Sequence, residues 1–543
     1  MTTESKTVVI IGAGMAGLTA AAYLARDGHR VLLLDKNDRV GGLVRTFAVE
    51  GFSFDGGPRA FVNSGIVRPI LGDLGIRWDY ADNRIAVGIE DQLVSIESMD
   101  SIRGYEEMLR VLYPDSTEDV AQLMSMIAKL SAYTEVLYGF DNPNFGDVMS
   151  DRKYIVRKLL PWTVKFLRSL RKMNRYSEPM EEFLARLTDN QSLIDITIQH
   201  FFRGTPTYFA LGYFYGYLDY FYPKGGTGAL VDLLEEKLVS DGVEMMLNRP
   251  IVEVTPAASE VTDAEGNSYH YDELIWAADL KTLYRSLNTT GLDQETVDEI
   301  EAQTRSVLAA KGAESSFVVF MAVDRPPSYF ATRGGEHMFY TPSRQGLGET
   351  HRAEQQALIE AFDTKSKDEV LAWLDAYCRL NTYEVSIPAL RDPALAPESQ
   401  TGLMISCLLD YDLVERIRKA GWYDELKAVL EDRIIGLFSQ TIYNGLEDDV
   451  LFRFSSTPLT IREVAGSSEG AITGWSFETD IPVVSKLTEI PKSVLTPIPN
   501  ILQAGQWAYC PAGVPTAMLT GWYATRVIAE RSKRRRRARR SRV

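Results

Sequence analysis

An α/β fold of the Rossmann-like, dinucleotide-binding type is predicted by three features near the N-terminus: an apolar strand, a glycine-rich turn opening a helix, and a second strand ending in an acid. Residues 7–11 (TVVII) read as a buried strand, 15–27 as a helix and 30–35 (RVLLLD) as a second strand, which completes a βαβ unit. Between strand and helix, Gly12-Ala13-Gly14-Met15-Ala16-Gly17 fits GxGxxG. The first glycine of that pattern permits a tight turn, the second lets backbone approach a pyrophosphate, and the third lets helix and strand pack closely. The helix N-terminus then offers free N–H groups to the phosphates. Asp35 ends the second strand, where a carboxylate can accept ribose hydroxyls. Residues 7–25 also pass the length test for a membrane span, but the glycine spacing and the strand after the helix argue for the dinucleotide unit.

The rest of the chain is organised around that unit. At 543 residues it exceeds a single core, so two or more lobes are expected. Residues 53–58 (SFDGGP) read as a tight loop, and about 100–200 as helical, with a capping run at Asp115-Ser116-Thr117-Glu118 and breakers at Pro143 and Pro161. A glycine loop opens a helix over 225–240, and strand-like pieces lie at 251–254 and 273–277. A mixed region spans 290–490, before a strand at 501–504 and a helix at about 515–531. The domain expectation is a discontinuous dinucleotide domain (1–95, 222–290, 490–531), a helical insertion at 96–221, a mixed α+β substrate domain at 291–489, and a basic disordered tail at 532–543.

Charge is unevenly spread. The net charge is −16, yet Arg152–Arg175 carries nine Lys/Arg and no acid, as does Arg531–Arg542. So acidic a body excludes nucleic-acid binding over its general surface. Three scattered cysteines fit a reducing cytoplasm, and the five histidines form no ligand-spaced pair, so no metal site is expected.

FAD and NAD share the fingerprint, and the residues downstream of it decide between them. Lys36 leads into Gly41-Gly42-Leu43-Val44-Arg45-Thr46 and Phe54-Asp55-Gly56-Gly57-Pro58-Arg59. These blocks resemble the flavoprotein group of amine oxidases, protoporphyrinogen oxidase and phytoene desaturases, with its GGR-x-x-T turn and FD-x-G-P loop. Leu43 stands where that group usually has arginine, with Arg39 and Arg45 as the replacements to hand. Tyr222-Pro223-Lys224-Gly225-Gly226-Thr227-Gly228-Ala229-Leu230 is similar to an element of phytoene desaturases and carotenoid isomerases, and Ile251 falls where the family packs backbone against adenine. Gly505-Gln506-Trp507 and Pro511-Ala512-Gly513-Val514-Pro515 resemble the flavin-binding close, whose helix aims N–H groups at the flavin edge.

The resemblance implies non-covalently held FAD in a two-dinucleotide-type fold. It implies a cofactor set of Gly12, Ala13, Gly14, Gly17, Asp35, Lys36, Gly41, Gly42, Leu43, Gly57, Pro58, Arg59, Ile251, Gly505, Val514 and Pro515. Cys510 reads as a core residue beside the flavin, not a covalent link.

The middle of the chain bears on substrate. Tyr208–Tyr222 contains nine aromatics, which suit equally a tunnel for an elongated apolar molecule and ordinary core packing. Asp219 and Tyr220 are the nearest groups able to handle a proton, and no catalytic residue is assigned. Residues 152–175 interleave Trp162, Phe166 and aliphatics with cations, the composition of an interfacial helix on an anionic membrane.

The family resemblance, retinol saturase-like branch included, implies an FAD-dependent oxidoreductase acting on C–C or C=C bonds of a long isoprenoid or polyene, by desaturation, saturation or isomerisation. Amine or porphyrinogen oxidation on the same scaffold is the alternative. With no second GxGxxG, a quinone, oxygen or a redox protein is the expected electron partner. The expected location is cytoplasmic, peripheral on the inner face of the membrane.

Overall fold

The computed structural model describes residues 5–145 and 151–540. A five-stranded, all-parallel sheet has the order Glu244–Met246, Arg30–Leu34, Thr7–Ile11, Glu273–Trp276, Ile501–Gln503. Its strands come from three distant stretches of chain, as a discontinuous Rossmann-like unit requires. The strands are apolar because helices or loops cover both faces. Met15–Arg26 packs between Ala229–Ser240 and the closing helix Val514–Arg540.

Two glycines of the fingerprint are explained by this packing alone. Gly12 has φ +102°, and a Cβ there would meet the Ala277 carbonyl oxygen at 2.8 Å. A Cβ on Gly17 would lie 1.9 Å from the Gly12 oxygen, so only glycine lets the helix sit on its strand.

A seven-stranded mixed sheet forms the second body, in the order Val450–Ser456, Ser315–Val323, Thr401–Leu409, Tyr383–Ser386, His337–Thr341, Ile85–Ile89, Gln92–Ile96. Helices Lys367–Leu380 and Tyr423–Gln440 share its largest apolar core. Residues 85–96 belong to this sheet and not to the parallel one, although the sequence pattern groups 1–95 with the dinucleotide unit. A helical layer that includes Thr117–Tyr138 and Thr207–Tyr217 packs against that edge.

Three local expectations are corrected. The loop expected at 53–58 begins later, because Phe52–Asp55 is a strand paired with Thr46–Val49, its Phe52 and Phe54 turned onto Phe320 and Phe452. Pro161 does not end the helical run; the turn before it, Ile155–Leu159, is a π turn, and Leu160–Met173 continues as α-helix. The closing helix runs on to Arg540, so the basic segment expected as a disordered tail is helical as far as that residue, and 541–543 lie outside the described residues. No helix among the described residues is long and apolar enough to cross a membrane.

Candidate active site

One cavity of about 610 Å³ runs from the glycine turn at the top of the parallel sheet into the space between the second sheet and the helical layer. Of the expected cofactor residues, Gly12, Gly14, Asp35, Gly41, Gly42, Leu43, Gly57, Pro58, Arg59, Gly505, Val514 and Pro515 line it. Ala13, Gly17, Lys36 and Ile251 do not. Ala13 donates its N–H to Asp35 at 2.7 Å, and Gly17 is taken up in helix packing. Lys36 points outward, its ammonium on the Glu463 carbonyl at 2.9 Å. Ile251 opens a strand in a core behind the sheet.

Gly14 differs from the other two fingerprint glycines. Its φ is ordinary, −77°, and an added Cβ meets no protein atom within 4 Å. The fold therefore does not need glycine at 14, whereas a molecule lying against that turn would. Asp35 fits the same occupant. One carboxylate oxygen accepts from Ala13 and the other from the Asn37 N–H at 2.8 Å, and each keeps a lone pair. The residues present fit a dinucleotide cofactor with a ribose and a pyrophosphate.

Position 43 holds leucine against the cavity, and neither arginine expected as its replacement reaches the lining. Arg39 is exposed beside Asp38. Arg45 lies over Gly56 and donates to the Gly42 carbonyl at 3.1 Å, and one of its buried guanidinium nitrogens has no partner.

Asp55 ties the motif blocks together, a role the sequence does not reveal. Its fully buried carboxylate accepts from Thr46 Oγ1 (2.8 Å), Tyr222 Oη (2.7 Å), and the N–H and hydroxyl of Thr227 (2.8 and 2.9 Å). The GG-x-GAL glycines serve the same joint, since a Cβ on Gly226 would lie 2.4 Å from Thr46 Oγ1.

At the far end the wall turns aromatic. Tyr208, Phe209, Tyr213, Tyr215, Tyr217 and Tyr220 line the cavity with Phe201 and Phe339, while Phe214, Phe221 and Tyr222 face cores. Tunnel wall and core packing, the two expectations for this stretch, thus each hold for part of it. Tyr213 and Tyr220 share a hydroxyl hydrogen bond of 2.6 Å, and burial pushes the Tyr213 phenol up to about 12. These phenols act as donors at neutral pH, not as bases. Asp219, raised by burial, accepts the Ser64 N–H at 2.7 Å. Cys510 is buried behind the cavity, and burial raises its thiol to about 12, which suits a core residue.

A carboxylate missed in the sequence faces this chamber. Glu384 lines the cavity and accepts from His337 Nε2 at 2.9 Å. Burial opposes its charge, but His337, Arg59 and Ser406 hold its carboxyl below the usual value. The only signal in the sequence is one acid in the apolar run Tyr383-Glu384-Val385.

Fold and cavity define a dinucleotide-dependent oxidoreductase scaffold whose cavity has a glycine-lined end and an aromatic end. The chain belongs to the flavin-containing amine oxidoreductase family, whose profile matches residues 15–371; the cofactor is FAD. It is 22% identical over 484 residues to a 4,4'-diaponeurosporene oxygenase of Staphylococcus haemolyticus, covering 87% of each chain. It is 21% identical over 543 aligned positions to a carotenoid 3,4-desaturase of Haloarcula japonica, covering 96% of this chain and 98% of that one. The fold matches a cyclohexylamine oxidase from Brevibacterium oxydans at TM-score 0.58 and 13% identity, over 97% of this chain and 100% of that one.

Proposed function

We propose that this flavoenzyme acts on C–C or C=C bonds of a long apolar isoprenoid or polyene. The observation that carries the reading is the continuity of the cavity: one space joins the glycine turn to the aromatic chamber. The names of the full-length relatives point the same way. In this reading the backbone at Gly12, Gly14, Gly41, Gly42 and Gly57 cradles the cofactor, Asp35 takes the ribose hydroxyls, and the helix opening at Val514 faces the flavin. FAD, when bound, supplies the two-electron exchange with the substrate. The chain's own contribution is to exclude water and to align an extended carbon skeleton between aromatic faces. Burial of such a skeleton contributes roughly 25 cal/mol per Å². A quinone, oxygen or a redox protein completes the electron transfer.

The helix at Leu160–Met173 supplies a landing surface in the same reading. Val156, Leu160, Val164 and Leu167 form an exposed apolar stripe, flanked by the cations of 152–175. Trp162 and Phe166 are turned the other way, Trp162 stacking on Phe140 at 4.6 Å, so the stripe and not those rings would meet lipid. Met173, Thr134 and Tyr138 line the cavity beneath this helix, which suits a substrate drawn from a membrane.

The test is anaerobic mixing of the oxidised enzyme with a panel of polyenes, isoprenoids and amines, monitoring flavin absorbance, with a reduced-enzyme arm and product chromatography. Bleaching by a polyene, reoxidation of reduced enzyme by one, or its isomerisation supports the reading. Rapid bleaching by a small amine, with indifference to every polyene, assigns amine oxidation instead.

A further inference from the structure

Glu384 is held by a four-residue relay whose hydrogen-bond directions are all determined. Arg391, buried, donates to the Arg59 carbonyl at 2.8 Å and to Asn83 Oδ1 at 2.6 Å. Arginine has no acceptor, so Asn83 must present its oxygen to Arg391 and its NH₂ to His337 Nδ1, 3.0 Å away. His337 Nδ1 therefore accepts and carries no proton. The ring is neutral, as its burial favours, and its single N–H, on Nε2, donates to Glu384 Oε1. Ser406 Oγ lies 3.3 Å from the other oxygen.

The relay leaves a carboxylate with unused lone pairs on a wall built from Tyr213, Tyr217, Tyr220 and Phe339. Its side chain is 32% exposed, and it lines the cavity. A pure hydrocarbon filling the chamber would strip solvent from the lone pairs that His337 and Ser406 leave free and return nothing for them, a desolvation cost. A molecule bringing a hydrogen-bond donor to the same point would satisfy it. The surroundings favour a neutral donor over an ammonium. Two buried guanidiniums, Arg59 and Arg391, act on both Asp55 and Glu384, and Arg59 itself lines the cavity. Both guanidiniums act on Glu384, so a second cation at that carboxylate is disfavoured. The paired hydroxyls of Tyr213 and Tyr220 also suit a group that both donates and accepts.

We infer that Glu384 is a specificity-determining residue that seats a hydroxyl group carried by the long apolar substrate, so the preferred substrate is an apolar alcohol and not an unfunctionalised hydrocarbon. The inference rests on the apolar-substrate reading and specifies it.

The test uses purified FAD-loaded enzyme and three probes of equal length: a polyene alcohol, the same polyene with methyl in place of CH₂OH, and the corresponding primary amine. Dissociation constants are read anaerobically from flavin absorbance changes, with tryptophan quenching as a second signal. The wild-type enzyme is expected to bind the alcohol about tenfold or more tighter than the hydrocarbon, the scale of a hydrogen bond to a charged group. Glu384→Leu should remove or reverse that preference, with flavin content unchanged. Glu384→Gln, which keeps an acceptor for His337, serves if the leucine variant fails to fold, and should narrow the preference. Equal binding of alcohol and hydrocarbon by wild type, or a preference that survives both substitutions, overturns the role of Glu384 and leaves the apolar reading intact. Tightest binding of the amine also overturns it. Binding of none of the three overturns the apolar reading and this inference together.

Discussion

The glycine-lined end of the cavity and its aromatic end differ in what holds them in place. At the first end the working surface is backbone, shaped by close backbone contacts: Gly12 against Ala277, Gly17 against Gly12, and Gly57 with an added Cβ only 1.9 Å from the Leu43 oxygen. At the second, the working surface is side chain. Its polar wall includes Glu384 and Ser406, with Asn83, His337 and Arg391 linked behind them, residues that no local spacing relates. A backbone site tolerates little change of residue type but stays fixed wherever the fold forms. A side-chain site can be rewritten one residue at a time, which is how one scaffold can serve carbon skeletons or amines.

The sharpest way to break this comparison lies within the fingerprint. Gly17→Val should prevent folding, because no side chain fits between helix and strand, and expression and circular dichroism would report it. Gly14→Val should fold, since its Cβ enters open space, yet purify largely without flavin. If Gly14→Val keeps normal flavin occupancy, the turn does not hold the cofactor. Adjacent aromatics give the next contrast. Phe214→Ala should lower stability by about 3–5 kcal/mol in chemical denaturation, as core truncations do, with little effect on ligand affinity. Tyr217→Ala should weaken long ligands more than short ones.

Outside this cavity, a buried acid carries an ionisable cost of its own. Burial raises the Glu314 carboxyl to about 7, helped by Glu478 and opposed by Arg203 and its backbone N–H. An acid with a raised folded-state value keeps its proton longer in the native protein than in the unfolded chain. Stability should therefore fall as pH rises from about 4.5 to 7, by roughly 3 kcal/mol, then level off. Glu314→Gln should flatten that slope in melts across the pH range. The smallest effect concerns the helix proposed to meet lipid. Replacing Leu160, Val164 and Leu167 with serine should reduce sedimentation with anionic liposomes even at low salt, while the wild-type protein releases as salt rises, each surface cation contributing about 1 kcal/mol. Unchanged lipid binding in that variant would make the stripe an ordinary surface.

The same contrast decides which parts of the molecule are legible in the sequence. The fingerprint, Asp35 and the closing strand and helix are legible because backbone sites leave glycines at fixed spacing. Asp55 is visible as part of a motif, but its clamp on Tyr222 and Thr227 needs contacts across more than 160 positions. The Glu384 relay is invisible for the same reason. In the amphipathic segment, periodicity shows apolar residues on two sides of the helix. Only tertiary packing decides that Trp162 and Phe166 turn inward while Leu160 and Leu167 do not.

The most direct measurement of the central claim, that a cofactor turn and a long apolar chamber form one space, is ligand affinity as a function of chain length. A homologous series of isoprenoid alcohols would be titrated into the oxidised holoenzyme and monitored through the flavin spectrum. Affinity should climb with each added isoprene unit until the chamber is full, then plateau, with every ligand perturbing the flavin. Affinity indifferent to length, or binding that leaves the flavin spectrum untouched, would contradict a chamber continuous with the cofactor.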